Sequence, residues 1–246
     1  MARYKAMDDD DDFEQEAEDV TEEVLGLSRR GTREKPEREK PVRPVPQKFS
    51  PTKLRIVAGQ MGGRKIVYSG DPAIRPMKEK TRESVFSLLG GYLYGTFVVD
   101  LFGGTGILAM ESVSRGSERG VIFELSRPAV ATIVDNLKLL RLETQIEVHN
   151  IDTLRWLRSI GANTKNWPQL PWIVYCCPPY RLWKEESQRL LAGVKELFAA
   201  APAGSWLVCE TEQDFDMAKE LPDIDWDIRK YNPAYVAVAH KPSPAE

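Results

Sequence analysis

The stretch FVVDLFGGTGILAMESVSRG, Phe97 to Gly116, sets the reading of the whole chain. FVVDLF (97–102) has the β-branched and aromatic composition of a short buried strand. It leads into Gly103-Gly104-Thr105-Gly106, where glycines allow a sharp turn and let a ligand lie against bare backbone. Gly104, Gly106 and Ala109 match a nucleoside-cofactor fingerprint, and Glu124 follows about twenty residues later at the end of the next strand candidate. Taken alone, that signal indicates a nucleoside cofactor and little more. Asp100, just before the loop, adds direction: a carboxylate there suits a cationic amino group and repels a pyrophosphate.

Outward from this stretch, strand candidates recur at GVIFEL (120–125), IEVH (146–149), WIVYC (172–176), SWLVCE (205–210), WDIRKY (226–231) and YVAVAH (235–240). Helical segments separate most of them. Residues Arg127 to Leu140 place Val130, Ile133, Val134, Leu137 and Leu140 on one stripe, with Ser126 as the expected cap. Strands alternating with helices predict a parallel, doubly wound α/β sheet. Only Asn232-Pro233-Ala234 joins the last two strands, which is too short for a crossover, so they should pair antiparallel at one edge. Before Phe97, LRIVAG and RKIVYS predict two short strands around Gly62-Gly63. In KEKTRESVFSLLGGYL, Val85, Leu88, Leu89 and Tyr92 recur at helical spacing.

The 246 residues carry a net charge of −3, which conceals three blocks. Residues 1–27 hold 11 Asp/Glu against 2 Lys/Arg, including Asp8 to Asp12 in a row. Residues 28–82 hold 16 Lys/Arg against 5 Asp/Glu, beginning with an Arg/Lys/Pro-rich run from Arg29 to Pro51. The remainder is mildly acidic. The first 50 residues cannot bury enough apolar surface to offset chain entropy, so an acidic and then basic disordered tail is expected, with order beginning near Lys53. The acidic run is either a solvated tail or an intramolecular mask for the basic stretch, which itself reads as a footprint for a polyanion. No run of eighteen apolar residues exists, so no membrane partner is expected, and no targeting segment is evident at the acidic amino terminus. Three cysteines, two adjacent, and two distant histidines form neither a disulfide framework nor a metal motif. A reducing, cytoplasmic setting without a metal is the expectation, and so is a monomer.

A ligand in such a sheet belongs at the carboxyl ends of the strands. There Glu124 has the chemistry to accept from both hydroxyls of a ribose, unless it is only a surface acid. Asp152 could bind an adenine amino group, unless it only caps the helix DTLRWLRSI. At the end of WIVYC stands Cys177-Pro178-Pro179-Tyr180, where two prolines forbid both further ladder bonds and an immediate helix. Cys176 should face the opposite side from Cys177 and join the core, and Cys209 is core as well.

From Leu54 to about Lys241 the chain resembles the RsmD family of bacterial S-adenosylmethionine-dependent methyltransferases, which modify a guanine N2 in small-subunit ribosomal RNA. The resemblance rests on LRIVAGQMGGRKI as an opening strand pair and on IRPMKEKTRESVFSLLG, matching at Arg75, Pro76, Arg82, Glu83 and Phe86. It continues through DLFGGTGILAMESVSRG with Glu111, Ser114, Arg115 and Gly116, then FELSRPAV, then CPPY in the place of an Asp/Asn-Pro-Pro-aromatic turn. It implies a Rossmann-like class I methyltransferase fold: a mainly parallel seven-stranded sheet with an antiparallel edge strand, plus a small amino-terminal hairpin and helix. The implied organisation is a tail (1–50), an RNA-binding hairpin and helix (51–95) and a methyltransferase domain (96–246).

S-adenosylmethionine is the implied cofactor, with Asp100, Phe102, Gly104, Gly106, Glu124 and Asp152 as its expected contacts. Ribosomal RNA or a small-subunit particle is the implied partner. A guanine N2 amine is a poor nucleophile, so it must be held in line with the methyl, near acceptors that pull on its N–H bonds. In the family those acceptors are the Asp/Asn side chain and the first proline carbonyl, while the aromatic stacks on the flipped base. Cys177, Pro178, Pro179 and Tyr180 occupy these catalytic positions. A thiol is a weak donor and a weaker acceptor, and this leaves three readings of Cys177. It is a tolerated change in a working enzyme, the mark of an impaired paralogue that still binds RNA and cofactor, or a covalent nucleophile for pyrimidine C5. Arg55, Arg64, Lys65, Arg75, Lys78, Lys80 and Arg82 are the expected phosphate contacts. Trp183 either stacks a base or packs on the next helix. A nicotinamide-dependent oxidoreductase is the alternative from another class; it accounts for the glycine loop and Glu124 and leaves CPPY idle.

Overall fold

The computed structural model describes residues 50–243. The tail expected over 1–50 therefore lies, Ser50 apart, outside the described residues. A short antiparallel hairpin comes first, β1 (Thr52–Arg55) with β2 (Lys65–Tyr68), followed by α1 (Glu79–Leu88). Then β3 (Phe97–Asp100), α2 (Ile107–Ser114), β4 (Arg119–Glu124), α3 (Arg127–Leu140) and β5 (Ile146–Asn150) alternate. Short helices α4 (Thr153–Trp156) and α5 (Ile160–Asn163) lead to β6 (Trp172–Cys176). After it come α6 (Tyr180–Glu185), α7 (Ser187–Ala200), β7 (Trp206–Glu212) and α8 (Met217–Glu220), and finally β8 (Asp227–Tyr231) and β9 (Ala234–His240).

The seven-stranded sheet has the order β5-β4-β3-β6-β7-β9-β8. Its first five strands are parallel. β9 runs antiparallel to both β7 and β8, so the expected antiparallel pair closes one edge and β9 is its reversed member, one place in from β8. Alternation along the strands feeds two cores. Val98, Ile122, Ile173, Tyr175 and Val208 face α1, α2, α3 and the hairpin. Val99, Val121, Phe123, Val174, Cys176 and Cys209 face α4, α6, α7 and α8. Strands buried on both faces are what helices on both sides of a parallel sheet require. Cys176 and Cys209 are core, as expected.

The hairpin is fastened to the sheet domain. Asn136 on α3 accepts from the Val67 N–H at 2.9 Å and donates to the Val67 carbonyl at 2.7 Å, copying a strand partner. Ile56 and Ile66 are fully buried in the first core. The described residues fall within one compact unit.

Two expectations for this region need correction. Arg82 is not a surface cation: it is 1% exposed, and its Nε donates to Glu111 Oε2 at 2.7 Å. Arg115 Nη2 donates to the other Glu111 oxygen at 2.9 Å and stacks its guanidinium 4.4 Å from the Phe86 ring centre. Arg82 also donates to the Arg55 and Met77 carbonyls, so one buried triad ties α1 to α2 and to β1. Tyr92 is not part of a helical stripe either. Gly90 and Gly91 both have positive φ, which ends α1, and Tyr92 stacks on Tyr94 in solvent.

Candidate functional site

Successive crossovers run from β3 outward to β5, then return to β6 on the other side of β3. At this reversal the loops after β3 and β6 diverge to opposite faces and open a crevice at the carboxyl ends of the strands. The loop after β3 carries the three glycines for different reasons. A Cβ on Gly103 would sit 2.2 Å from Ile122 Cγ2, and one on Gly106 would press on Met110, Ile133 and Ile122 at 3.1–3.3 Å. Those two let α2 seat on β4 and α3. Gly106 therefore shapes the loop from beneath. Gly104, at φ 55°, turns its N–H onto Glu124 Oε2 at 2.7 Å.

Asp100 ends β3 with its side chain 1% exposed. Among the described residues, neither carboxylate oxygen has a hydrogen-bond partner. Burial pushes its pKa up to about 7 and the Glu124 charge adds to it; the Phe102 N–H, near the carboxylate but outside hydrogen-bond geometry, offsets part of this. A buried carboxylate with no donor costs several kcal/mol unless a cation or a proton compensates it. Glu124 is half-buried and accepts from the Gly104 and Ser126 N–H groups, both at 2.7 Å, so it clamps the glycine loop to the start of α3. Asp152 is exposed and caps α4 by accepting from Leu154 N–H at 2.9 Å. Both keep lone pairs for a ligand while serving these structural roles.

The turn after β6 fills the facing side. Pro178 is buried, Pro179 is exposed, and Tyr180 opens α6. The Pro179 carbonyl accepts from Leu182 N–H at 2.9 Å, whereas no described residue donates to the Pro178 carbonyl. The Tyr180 hydroxyl donates to Glu210 Oε1 at 2.8 Å, and the Arg75 guanidinium lies 5.6 Å from the Tyr180 ring centre. Trp183 is buried, donates its indole N–H to the Glu210 carbonyl at 2.9 Å and packs on Phe215. It is therefore not a stacking platform. Burial raises the Cys177 thiol well above its ordinary pKa, and the charges of Glu210 and Asp100 raise it further. Cys177 is half-buried, and the direction of the shift disfavours the thiolate that a covalent nucleophile needs.

The expected phosphate contacts are scattered. Arg75 reaches the turn. Arg55 is exposed and paired with Glu79 at 2.5 Å. Arg64 is bound to the Leu139 carbonyl at the end of α3. Lys78 contacts the Asn232 carbonyl at 3.4 Å, and Lys65 and Lys80 are exposed. One site residue escaped the sequence reading: Glu210, a half-buried acid on β7. Cys176 pairs with Cys209 in the sheet, so the next residues, Cys177 and Glu210, lie side by side.

A family model described as Conserved hypothetical protein 95 matches residues 54–238. A Bacillus subtilis protein named as an rRNA methyltransferase, YlbH, is 26% identical over 171 residues, which is 70% of this chain and 89% of that protein. The Ribosomal RNA small subunit methyltransferase D of Buchnera aphidicola is 31% identical over 129 residues, 52% of this chain and 64% of the relative. Among solved structures, the Thermus thermophilus 16S rRNA N2 methyltransferase RsmC, in complex with AdoMet and guanosine, matches with a TM-score of 0.61. It is 18% identical and covers 83% of this chain and 54% of its own, a likeness of fold. With the family match extending from the first hairpin strand to β9, the chain belongs to the Conserved hypothetical protein 95 family, that of the RsmD-type ribosomal RNA methyltransferases.

Proposed function

We propose that this chain methylates the exocyclic N2 amine of a guanine in small-subunit ribosomal RNA, with S-adenosylmethionine as the methyl donor. The observation that carries the reading is the Asp100 carboxylate, buried beside the glycine loop with both oxygens unpartnered. A cationic amino group supplies the missing donors and charge, whereas a nicotinamide dinucleotide would bring its pyrophosphate against a like charge.

When bound, the cofactor supplies a methyl group activated by a positively charged sulfur. Asp100 would hold its amino group, the Gly104 backbone and Phe102 would lie along it, Glu124 would accept from its ribose and Asp152 from its adenine. Gly106 contributes by letting α2 pack beneath the loop. Opposite, the Pro178 carbonyl is free to accept an amine N–H. Tyr180 offers a ring for the base, its hydroxyl already anchored on Glu210. Arg75, with exposed Lys65 and Lys80, would meet phosphates. The RsmD-type relatives and the guanosine bound in the structural neighbour support this substrate class.

Mass spectrometry of ribosomal RNA nucleosides from a strain lacking the protein tests this. One N2-methylguanosine should disappear from small-subunit RNA, return with the wild-type gene and fail to return with Asp100→Ala. An unchanged N2-methylguanosine content would overturn the assignment.

A further inference from the structure

Cys177 leaves the amine-binding turn without the side-chain acceptor that methyl transfer to a conjugated amine requires. As a thiol held well above its ordinary pKa it is neither a base nor a strong acceptor. A residue able to serve, and not engaged by the cofactor as Asp100 would be, is on the next strand. β6 and β7 are parallel, with Cys176 opposite Cys209, so Glu210 stands beside Cys177 at the same level of the sheet. Its backbone is fixed by the Trp183 indole through its carbonyl and by the β9 pairing with Val236. Its Oε1 accepts from Tyr180 at 2.8 Å, which leaves Oε2 without a protein donor among the described residues.

We propose that Glu210 is the catalytic carboxylate of the turn, accepting an N–H of the target amine in place of the side chain that Cys177 lacks. The proposal rests on the reading of the site as a guanine N2 methyltransferase. As the amine lone pair forms the N–CH3 bond, the S–CH3 bond breaks and its electrons stay on sulfur. One N–H proton of the resulting cation then passes to Glu210 and on to solvent. The same acid holds the Tyr180 hydroxyl, so a single group sets both the stacking ring and the amine. Charge in the pocket is consistent with this role. Burial raises Glu210 above the ordinary carboxylate range, while the Tyr180 hydrogen bond and the Arg75 charge act to keep it ionised. A carboxylate so placed has a stronger affinity for a proton than one in water.

The test compares binding first and turnover second, using the full chain and a short RNA containing one target guanosine. A matched RNA carries inosine, which lacks only the N2 amine. Wild type should bind the guanosine RNA at least tenfold more tightly than the inosine RNA. Glu210→Gln, whose single oxygen stays on the Tyr180 hydroxyl and whose NH2 group then faces the amine, should erase that preference with little change in inosine affinity and cut methyl transfer at least a hundredfold. Tyr180→Phe, which removes the hydroxyl and keeps the ring, should lose less than tenfold in transfer and keep the guanosine preference. Adding Cys177→Asp to Glu210→Gln should restore part of the transfer by returning a carboxylate to the turn. Glu210 is only a positioning residue if Tyr180→Phe matches Glu210→Gln, or if Glu210→Gln weakens both RNAs equally. A wild type that methylates neither RNA and does not distinguish them would overturn the guanine N2 reading itself.

Discussion

The Arg75 guanidinium carbon lies 5.6 Å from the centre of the Tyr180 ring, joining the segment after the hairpin to the turn after β6. One residue earlier, Ile74 Cγ2 lies 3.2 Å from where a Cβ on Gly104 would stand, so the same segment passes over the glycine loop. The basic segment is therefore in contact with both halves of the site. Arg75→Ala should weaken RNA binding by about threefold to tenfold and lower the log–log salt slope by about 0.7 for a single-stranded contact. Affinity measured across a salt series checks this; an unchanged slope would remove Arg75 from the phosphate contacts.

Arg82 should behave differently although it is only seven residues away. Removing it leaves Glu111 paired with Arg115 through Oε1 but takes the donor from buried Oε2 and opens a hole between α1 and α2, at a cost of about 1–3 kcal/mol for the unpaired acceptor plus the lost packing. Arg82→Ala should therefore lower the unfolding midpoint sharply, with no specific change in salt slope for the protein that remains folded. Chemical denaturation with RNA titration separates the two effects. A stable Arg82→Ala with a flattened slope would restore Arg82 to the RNA surface.

Asp100 makes cofactor binding pH-dependent. With its pKa raised to about 7 in the free protein, it is protonated below that value, and pairing with a cationic amino group requires the proton to leave. Affinity for S-adenosylmethionine should rise up to about tenfold per pH unit between roughly pH 5 and 7, then level off. It should fall again above roughly pH 8 as an α-amino group loses its charge. The stability of the free protein follows the opposite sign. The unfolded carboxyl ionises above about 4 while the folded one still holds its proton, so the fold loses stability as pH rises from about 4 to about 7. Calorimetry should show the affinity rise in wild type and not in Asp100→Asn, and the melting temperature of wild type relative to Asp100→Asn should fall as pH rises from about 4 to about 7.

Cys177 is expected to be tolerated. Cys177→Ser should change transfer by less than about threefold, since Glu210 already supplies the acceptor and the hydroxyl is close to the thiol in size. Cys177→Asn should keep or raise it by supplying an amide oxygen. Cys177→Asp alone should gain less, because it sets a third carboxyl group beside Asp100 and Glu210. Wild type should form no covalent adduct with a 5-fluoropyrimidine RNA, as a protonated thiol does not attack C6. Recovery of such an adduct would reverse the reading of the turn.

Elements that carry their own local signals are legible in the sequence. The apolar strands, the Gly103–Gly106 loop, the Ser126 cap of α3 and the short connection at Asn232-Pro233-Ala234 all stand where the pattern puts them. Features that depend on partners far apart in the chain are not legible in this way. Arg82 looks like another member of a basic run because Glu111 and Arg115, which bury it, belong to α2. Trp183 takes its place from Glu210 and Phe215. Glu210 itself ends a strand candidate, and only the register between β6 and β7 singles it out. An acid level with CPPY on the neighbouring parallel strand is a stronger signal than its position in SWLVCE alone.

The most direct test of the account is to incubate the purified full chain with small-subunit particles or their RNA and S-adenosylmethionine bearing a deuterated methyl group. The RNA is then digested and its nucleosides resolved by mass spectrometry. The account predicts the deuterated methyl in N2-methylguanosine at a single position, absent with Asp100→Ala and reduced at least a hundredfold with Glu210→Gln. Label in a methylated adenosine or pyrimidine, or no label in a protein that still binds the cofactor, would contradict it.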